Sequence, residues 1–473
     1  MTAFVGIDLG TSALKAVAVS GDGTILATAR RAYPTARPEP GAAEQDPADW
    51  WAALDGAIGD IARTVPPRTW AGVGLSGMLP TLVRIGDSGS ALAPAITWED
   101  ARAEPQAREL LGTVGVDRLY RVTGQLVDGR YLAPMYARLA RAGDRAAVVA
   151  GAKDALFAHL TGELYTDPST AAGFGVFDLD SGGWNSELTS AAGISRFPDV
   201  LAAGSWRPVL PAWRDRWELP EGLPVVLGAA DSVLGALGIG ATAPGDVAVI
   251  AGSSAIVLGL SATPVRDPQR RYLVTPLAGA GWGLEMDLLA MGTAFDGIAA
   301  LLGLPGPAAL MAAAATVPAA DAPLFLPYLS PGEQGALWDP GLTGTLHGLT
   351  LAMGAGHVGR ALLTGVVNEL RRCTEVLATA TGCRGPILLG GGAAASPLLW
   401  QDLADATGRE VWVDPAIRDH SALGAALHAA ASLHHPVAVR GDKRIVAPHP
   451  ARLGWWTDAA ERHDELRLRL ADP

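Results

Sequence analysis

Near its start the chain reads GIDLGTSALK (6–15), with an acid, a glycine turn, two hydroxyls and a lysine between two apolar runs. A tight turn of Gly, Ser and Thr turns several backbone N–H groups to one side, and such a nest binds phosphate oxygens. Gly10, Thr11 and Ser12 would form the nest, and Lys15 would add a cation. Asp8 beside a phosphate is repulsive unless a divalent cation stands between them. Mg²⁺ resolves this by bridging carboxylate, water and phosphate oxygens. The run therefore reads as a site for Mg–nucleotide phosphates; the alternative is an ordinary hairpin with a solvated Asp8. Gly252-Ser253-Ser254 repeats the small, hydroxyl-rich turn, and Gly390-Gly391-Gly392 supplies a third that lets a flat ring approach the backbone. Alone, each of these two is an unremarked structural turn. Together they suggest one nucleotide held between two halves of the chain. Asp231 follows a buried strand and opens a small-residue helix. It is either that helix's N-cap or a carboxylate facing a cleft that takes a proton from a substrate hydroxyl.

These residues need elements to position them. Segments 4–8, 15–20 and 24–29 read as strands, with Gly21-Asp22-Gly23 as a hairpin turn. Asp46 caps a helix begun by Pro47, with Trp50, Trp51, Leu54, Ile58 and Ile61 on its apolar face. Strands are expected at 70–76, 223–227, 246–250 and 255–260, and helices at 152–161, 232–239, 398–407 and 458–470. Strand, hydroxyl-rich turn, strand occurs in both halves, which reads as an internal duplication. The pattern fits two α/β domains facing across a cleft, with a boundary near 238–245.

The bulk numbers agree with a globular chain. Of 473 residues, 49% are hydrophobic and 18% charged, enough for large buried cores. A net charge of −12 argues against a general nucleic-acid binder, which needs excess Lys and Arg. Two cysteines, Cys373 and Cys383, make no disulfide framework and are expected as buried hydrophobes in a reducing compartment. No segment approaches about 20 apolar residues free of Gly, Pro and charge, so no membrane partner is expected and the location reads as cytoplasmic.

GIDLGTSALK, AEQDPADWW (43–51), Asp231 within AADSVLGALGIG (229–240), FLPYLS (325–330) and LLGGGAAASPLLWQDLAD (388–405) occur in the order of the FGGY carbohydrate kinases. The chain resembles that family over residues 4–430 and is most similar to its xylulokinases. The resemblance implies two actin-like (ribonuclease-H-like) α/β domains of the sugar kinase/heat-shock chaperone/actin superfamily, 1–240 and 241–473, with the active site in the interdomain cleft. It implies ATP and Mg²⁺, with Asp8 at the metal and Asp231 as catalytic base. Gly10, Thr11, Ser12 and Lys15 would meet the transferred phosphate. Gly252 and Ser253 would hold further phosphates, and Gly391, Gly392, Ala393 and Ser396 the adenosine side. Sugar contacts map to Gly77, Met78, Leu79, Trp98, Glu99, Asp100 and Arg102, together with Asp231. A dimer is common among such relatives, so a homodimer is carried as an expectation.

The chain departs from the xylulokinase pattern in several places. Met78-Leu79 stands for Met-His, Asp231-Ser232 for Asp-Asn, and Gly332-Glu333-Gln334-Gly335-Ala336 for a run with an arginine. Met135 and Thr364 replace an expected lysine and glutamate, and one extra residue precedes Ser396. The changes cluster where sugar identity and domain packing are set. The expected activity is ATP-dependent phosphorylation of a terminal hydroxyl of a ketopentose, D-xylulose first, with ribulose, gluconate, glycerol or erythritol as alternatives. A non-catalytic nucleotide-binding regulator on the same fold is the reading from another class. Trp50 and Trp51 are read as core, while Trp98 is open between core and sugar site. Glu99 and Asp100 are alternatively solvated, with Arg102 pairing either across a weak surface bridge.

Overall fold

Ala3–Leu9 reads AFVGIDL and is buried along its whole length, as a strand in the middle of a covered sheet must be. The computed structural model describes residues 2–471 except Ser88, Arg145, Ala147, Ser195, Pro331, Gly332, Pro340 and Cys383, so the expectation for Cys383 and the Gly332 departure lie outside the described residues. Ala3–Leu9 pairs antiparallel with Ala13–Ser20, which pairs antiparallel with Ile25–Ala32. On its other side it runs parallel to Trp70–Gly77, and that strand runs parallel to Pro224–Ala230. The second half repeats this plan. Val247–Ala251 pairs antiparallel with Ala255–Ser261, which pairs antiparallel with Trp282–Leu288. Its other neighbour is Ile387–Gly390 in parallel, followed by Val411–Val413 in parallel. Both sheets thus carry the strand order third, second, first, fourth, fifth. The duplication read from two short strings extends to five strands in each half.

Helices form where caps and patterns place them. Asp46 accepts a hydrogen bond from the Ala48 N–H and starts Pro47–Thr64, which buries Trp50, Leu54, Ile58 and Ile61. Trp51 lies half-buried, stacked on His159 at 3.9 Å, away from the cleft. Ala152–Thr161 ends at Gly162 in the left-handed conformation. The C-terminal helix begins earlier than expected, at Leu453, because Trp456 is drawn fully into the second core. Cys373 is buried, as expected.

Two helices settle the cleft. Asp231–Ile239 starts at Asp231 itself, with Ala230 as the N-cap and no side-chain cap, so the capping alternative for Asp231 does not hold. His420–Ser432 was not singled out in the sequence. It crosses Asp231–Ile239 and lies on the first sheet, although it comes from the second half. The crossing is backbone to backbone. A Cβ on Gly424 would stand 1.8 Å from the Leu234 carbonyl oxygen, and one on Gly238 would stand 2.0 Å from that of His420. Only glycine permits this approach. It brings the first residues of both helices, Asp231 and His420, to the same cleft.

Candidate active site

The cleft has a volume of about 2040 Å³ and takes its walls from both halves. Gly10, Thr11, Ser12 and Lys15 line it at the end of the first strand pair. Gly10 N–H closes the turn on the Ala13 carbonyl at 3.2 Å, while among the described residues the Thr11 and Ser12 N–H groups have no partner. These are the free donors a phosphate nest requires. Asp8 sits beneath the turn, 1% exposed. Its Oδ2 meets Lys15 Nζ at 3.0 Å, and its Oδ1 accepts from the Ser76 hydroxyl at 2.9 Å. The Asp8 charge raises the Lys15 ammonium above its ordinary pKa, against the opposing effect of burial.

The second turn faces the first. Gly252 and Ser253 line the cleft, and the Met291 and Gly292 N–H groups donate to the Ser253 and Gly252 carbonyls at 3.1 Å each. This seats the N-terminus of helix Gly292–Leu301 on the turn. At the third turn Gly391 has φ +96°, and a Cβ there would stand 2.3 Å from the Ala251 carbonyl oxygen. Its N–H donates to His420 Nδ1 at 3.2 Å. Gly391, Gly392 and Ser396 line the cleft. Ser396 also caps helix Pro397–Thr407. Ala393 lies in the short helical turn Gly392–Ala395 between them.

Asp231 lines the cleft between these turns. Its Oδ1 accepts the Ser232 N–H at 2.9 Å. Burial, then the Asp8 charge, push the carboxyl up to about 8; Lys15 opposes the shift and Glu285 adds to it. Glu285, on strand Trp282–Leu288, is itself pushed up to about 8, by burial first and by Asp287 second.

The other sugar candidates separate. Trp98 and Glu99 line the cleft; Trp98 Nε1 donates to Thr11 Oγ1 at 2.9 Å, and Glu99 pairs with Arg37 at 3.1 Å. Asp100 borders the cleft but is 2% exposed, and its oxygens are taken by the Ala43 N–H and by Arg102. Arg102 is not part of the lining. It is held by Asp100, Glu44 and Glu39 at 2.6, 2.5 and 2.7 Å, a half-enclosed cluster in place of the weak surface bridge expected. Gly77 and Met78 are buried and do not line the cleft, and Leu79 packs with Ala229, Ala230 and Val233.

Sequence reasoning missed Asp419, His420 and Ser421, all of which line the cleft. Burial raises the Asp419 carboxyl, opposed by Lys15 and Arg30. Ser421 donates to the Asp231 main-chain oxygen at 2.9 Å. The signal was present: Asp419-His420-Ser421 opens a small-residue helix just as Asp231-Ser232 does.

Two like-built α/β halves, with phosphate-type turns meeting at their strand ends, define the actin-like ATPase fold. Residues 3–238 match the N-terminal domain, and residues 247–433 the C-terminal domain, of the FGGY family of carbohydrate kinases. The chain belongs to this family and is a phosphotransferase with an alcohol acceptor. It is 32% identical to a xylulose kinase of Klebsiella pneumoniae over 98% of this chain and 95% of the relative. It is 28% identical to a gluconokinase of Bacillus subtilis over 90% and 87% of the two chains. The crystal structure of xylulose kinase from Rhodospirillum rubrum superposes with a TM-score of 0.88 at 30% identity, covering 99% of each chain.

Proposed function

We propose that this chain, divided into domains 1–240 and 241–473, transfers the terminal phosphoryl group of ATP to a terminal hydroxyl of a ketopentose, D-xylulose first. The observation that carries the reading is one cleft lined by Asp231, Lys15 and the unpartnered N–H groups of Thr11 and Ser12, with Asp8 buried beneath and paired to Lys15. The donor set suits Mg–nucleotide. Among the described residues no group of three His, Cys, Asp or Glu side chains is set to hold a metal, so Asp8 would act with phosphate oxygens and water, the way Mg²⁺ is commonly bound. Thr11, Ser12, Lys15, Gly252 and Ser253 would hold phosphates, and Gly391, Gly392, Ala393 and Ser396 the adenosine side. When bound, Mg–ATP supplies the phosphoryl group and neutralises its charge.

The chain's own residues then do the remaining work. Asp231 Oδ1 is occupied by the Ser232 N–H, which leaves Oδ2 to take the acceptor's hydroxyl proton. Lys15, paired with Asp8, would supply a cation to the phosphate oxygens. Trp98 and Glu99 orient the acceptor at the rim, while Gly77, Met78 and Leu79 stand outside the lining.

A second reading is favoured by the charge of the rim. Arg37 and Arg130 both line the cleft, paired with Glu99 and Asp128. An acceptor carrying a carboxylate, such as gluconate, would find cations there.

ADP release with Mg–ATP tests both readings against D-xylulose, D-ribulose, L-ribulose, L-xylulose, glycerol, gluconate and erythritol. The expected result is a large rate with one acceptor that is lost in Asp231→Ala, while nucleotide binding persists. A gluconate maximum selects the second reading. Near-wild-type turnover in Asp231→Ala removes Asp231 as base.

A further inference from the structure

Two serines hold the backbone at Asp231 from opposite sides. The Ala230 N–H donates to Ser169 Oγ at 2.9 Å, and the Asp231 carbonyl accepts from Ser421 Oγ at 2.9 Å. Ser421 comes from the crossing helix, whereas Ser169 comes from a fully buried cluster behind the first sheet. The Ser169 hydroxyl donates to Asp167 Oδ2, which also accepts the Ser169 N–H at 2.9 Å. Asp167 Oδ1 takes the Thr170 hydroxyl at 2.6 Å and Lys153 Nζ at 3.2 Å. Lys153 Nζ meets Asp154 Oδ1 at 3.0 Å, and Asp154 Oδ2 accepts the Gly151 N–H at 3.0 Å. The side chains of Lys153, Asp154 and Asp167 are each at most 1% exposed.

The proton logic of the cluster fixes one geometry. Ser169 has a single hydroxyl proton, and Asp167 takes it. The remaining lone pairs of Ser169 Oγ must therefore serve the Ala230 N–H. Lys153 and Thr170 donate to the other Asp167 oxygen, so both Asp167 oxygens are engaged as acceptors in this orientation. The cluster also touches the segment on the other side of the strand end. Gly77 pairs with Ala230 in the sheet, and a Cβ on Gly77 would lie 3.0 Å from Lys153 Cβ. None of these groups lines the cleft or enters the transfer step. A buried charge trio is costly to maintain against an apolar substitute. A catalytic group, by contrast, must be held to within a fraction of an ångström.

We propose that Lys153, Asp154, Asp167 and Ser169 form a positioning network that sets the end of strand Pro224–Ala230, and through it the carboxylate of Asp231. The proposal rests on Asp231 being the base. Ser169 is the member through which the network acts on the strand, and Ser421 is its counterpart on the far side.

The test uses the full chain, Mg–ATP and the acceptor giving the fastest ADP release in the panel above. It compares Ser169→Ala, Ser169→Thr, Thr170→Val and Asp231→Ala by kcat, KM for both substrates, and thermal midpoint. Ser169→Ala leaves a buried N–H without its acceptor and lets the strand end shift. Its kcat is expected to fall about 10- to 100-fold, the cost of misplacing a reacting group by about an ångström, with both KM values unchanged. Ser169→Thr retains the oxygen and restores most of kcat. Thr170→Val removes a hydroxyl from the same cluster that does not touch Ala230, so it lowers the midpoint and leaves kcat near wild type. Ser169→Ala with wild-type kcat and a lowered midpoint overturns the proposal, as does an equal loss of kcat in Thr170→Val. Retained turnover in Asp231→Ala instead defeats the base assignment, a result distinguishable from either of these.

Discussion

Burial and the neighbouring charge of Asp8 hold the Asp231 carboxyl up to about 8, far above an unperturbed aspartate. That shift has a stability consequence with a definite sign. Between the ordinary carboxylate range and about pH 8, the folded chain binds a proton at Asp231 that the unfolded chain has released. Raising the pH through this window therefore destabilises the fold at this residue. Asp231→Asn carries no such charge. Its thermal midpoint is expected to match wild type near pH 4 and to exceed it by a margin that grows until about pH 8. A difference that stays flat across that range would mean that Asp231 is not held in the protonated form. Acting as the proposed base requires that Asp231 first release this proton. Bound Mg²⁺ would offset the Asp8 charge, and Lys15 already does so in part.

The crossing of helices Asp231–Ile239 and His420–Ser432 is the element that assembles the cleft. Its closeness depends on glycines at the contact, and Gly424 is the tightest of them against its partner helix. Gly424→Ala puts a methyl group into the Leu234 carbonyl, which no side-chain motion relieves. Overpacking of this kind costs about 1–3 kcal/mol. Urea denaturation is expected to show that loss, accompanied by a lower kcat because Ser421 moves with its helix away from the Asp231 carbonyl. Loss of stability with kcat intact would mean that the crossing does not place the site. The elements themselves follow local rules. Asp46 caps and Pro47 starts a helix, Gly162 ends another, and strand Ala3–Leu9 is apolar because both of its faces are covered.

The cleft, at about 2040 Å³, exceeds the roughly 300–1,000 Å³ that a bound small molecule needs. A phosphoryl-transfer site must also exclude water as a competing acceptor. Besides the helix crossing, the two halves are tied where Tyr120 and Gln125 hydrogen-bond the Tyr272 and Val274 carbonyls at 2.8 and 2.9 Å. Closure would narrow the cleft about these contacts. Small-angle scattering is expected to show a smaller radius of gyration with a non-hydrolysable Mg–nucleotide plus acceptor than with either alone. An unchanged radius would mean that the open form already binds both ligands and that water is excluded by other means.

The two-domain α/β class, the opening strand meander and the hydroxyl-rich turn that lines the cleft were legible in the sequence. So was the candidate base, because each depends on neighbours a few residues apart: turn chemistry, caps and runs of apolar residues. Family membership was legible too, because it rests on motifs in order along the chain. What only the tertiary structure decided depends on residues far apart in sequence. Asp100 and Arg102 lie beside candidate sugar contacts in the chain, yet they are bound to Ala43, Glu39 and Glu44. Ser421 reaches Asp231 across 190 positions and Ser169 reaches Ala230 across 61. No local pattern encodes such contacts. They exist because a helix from the second half lies on the first sheet, and because a buried carboxylate must find its proton donors wherever the fold brings them.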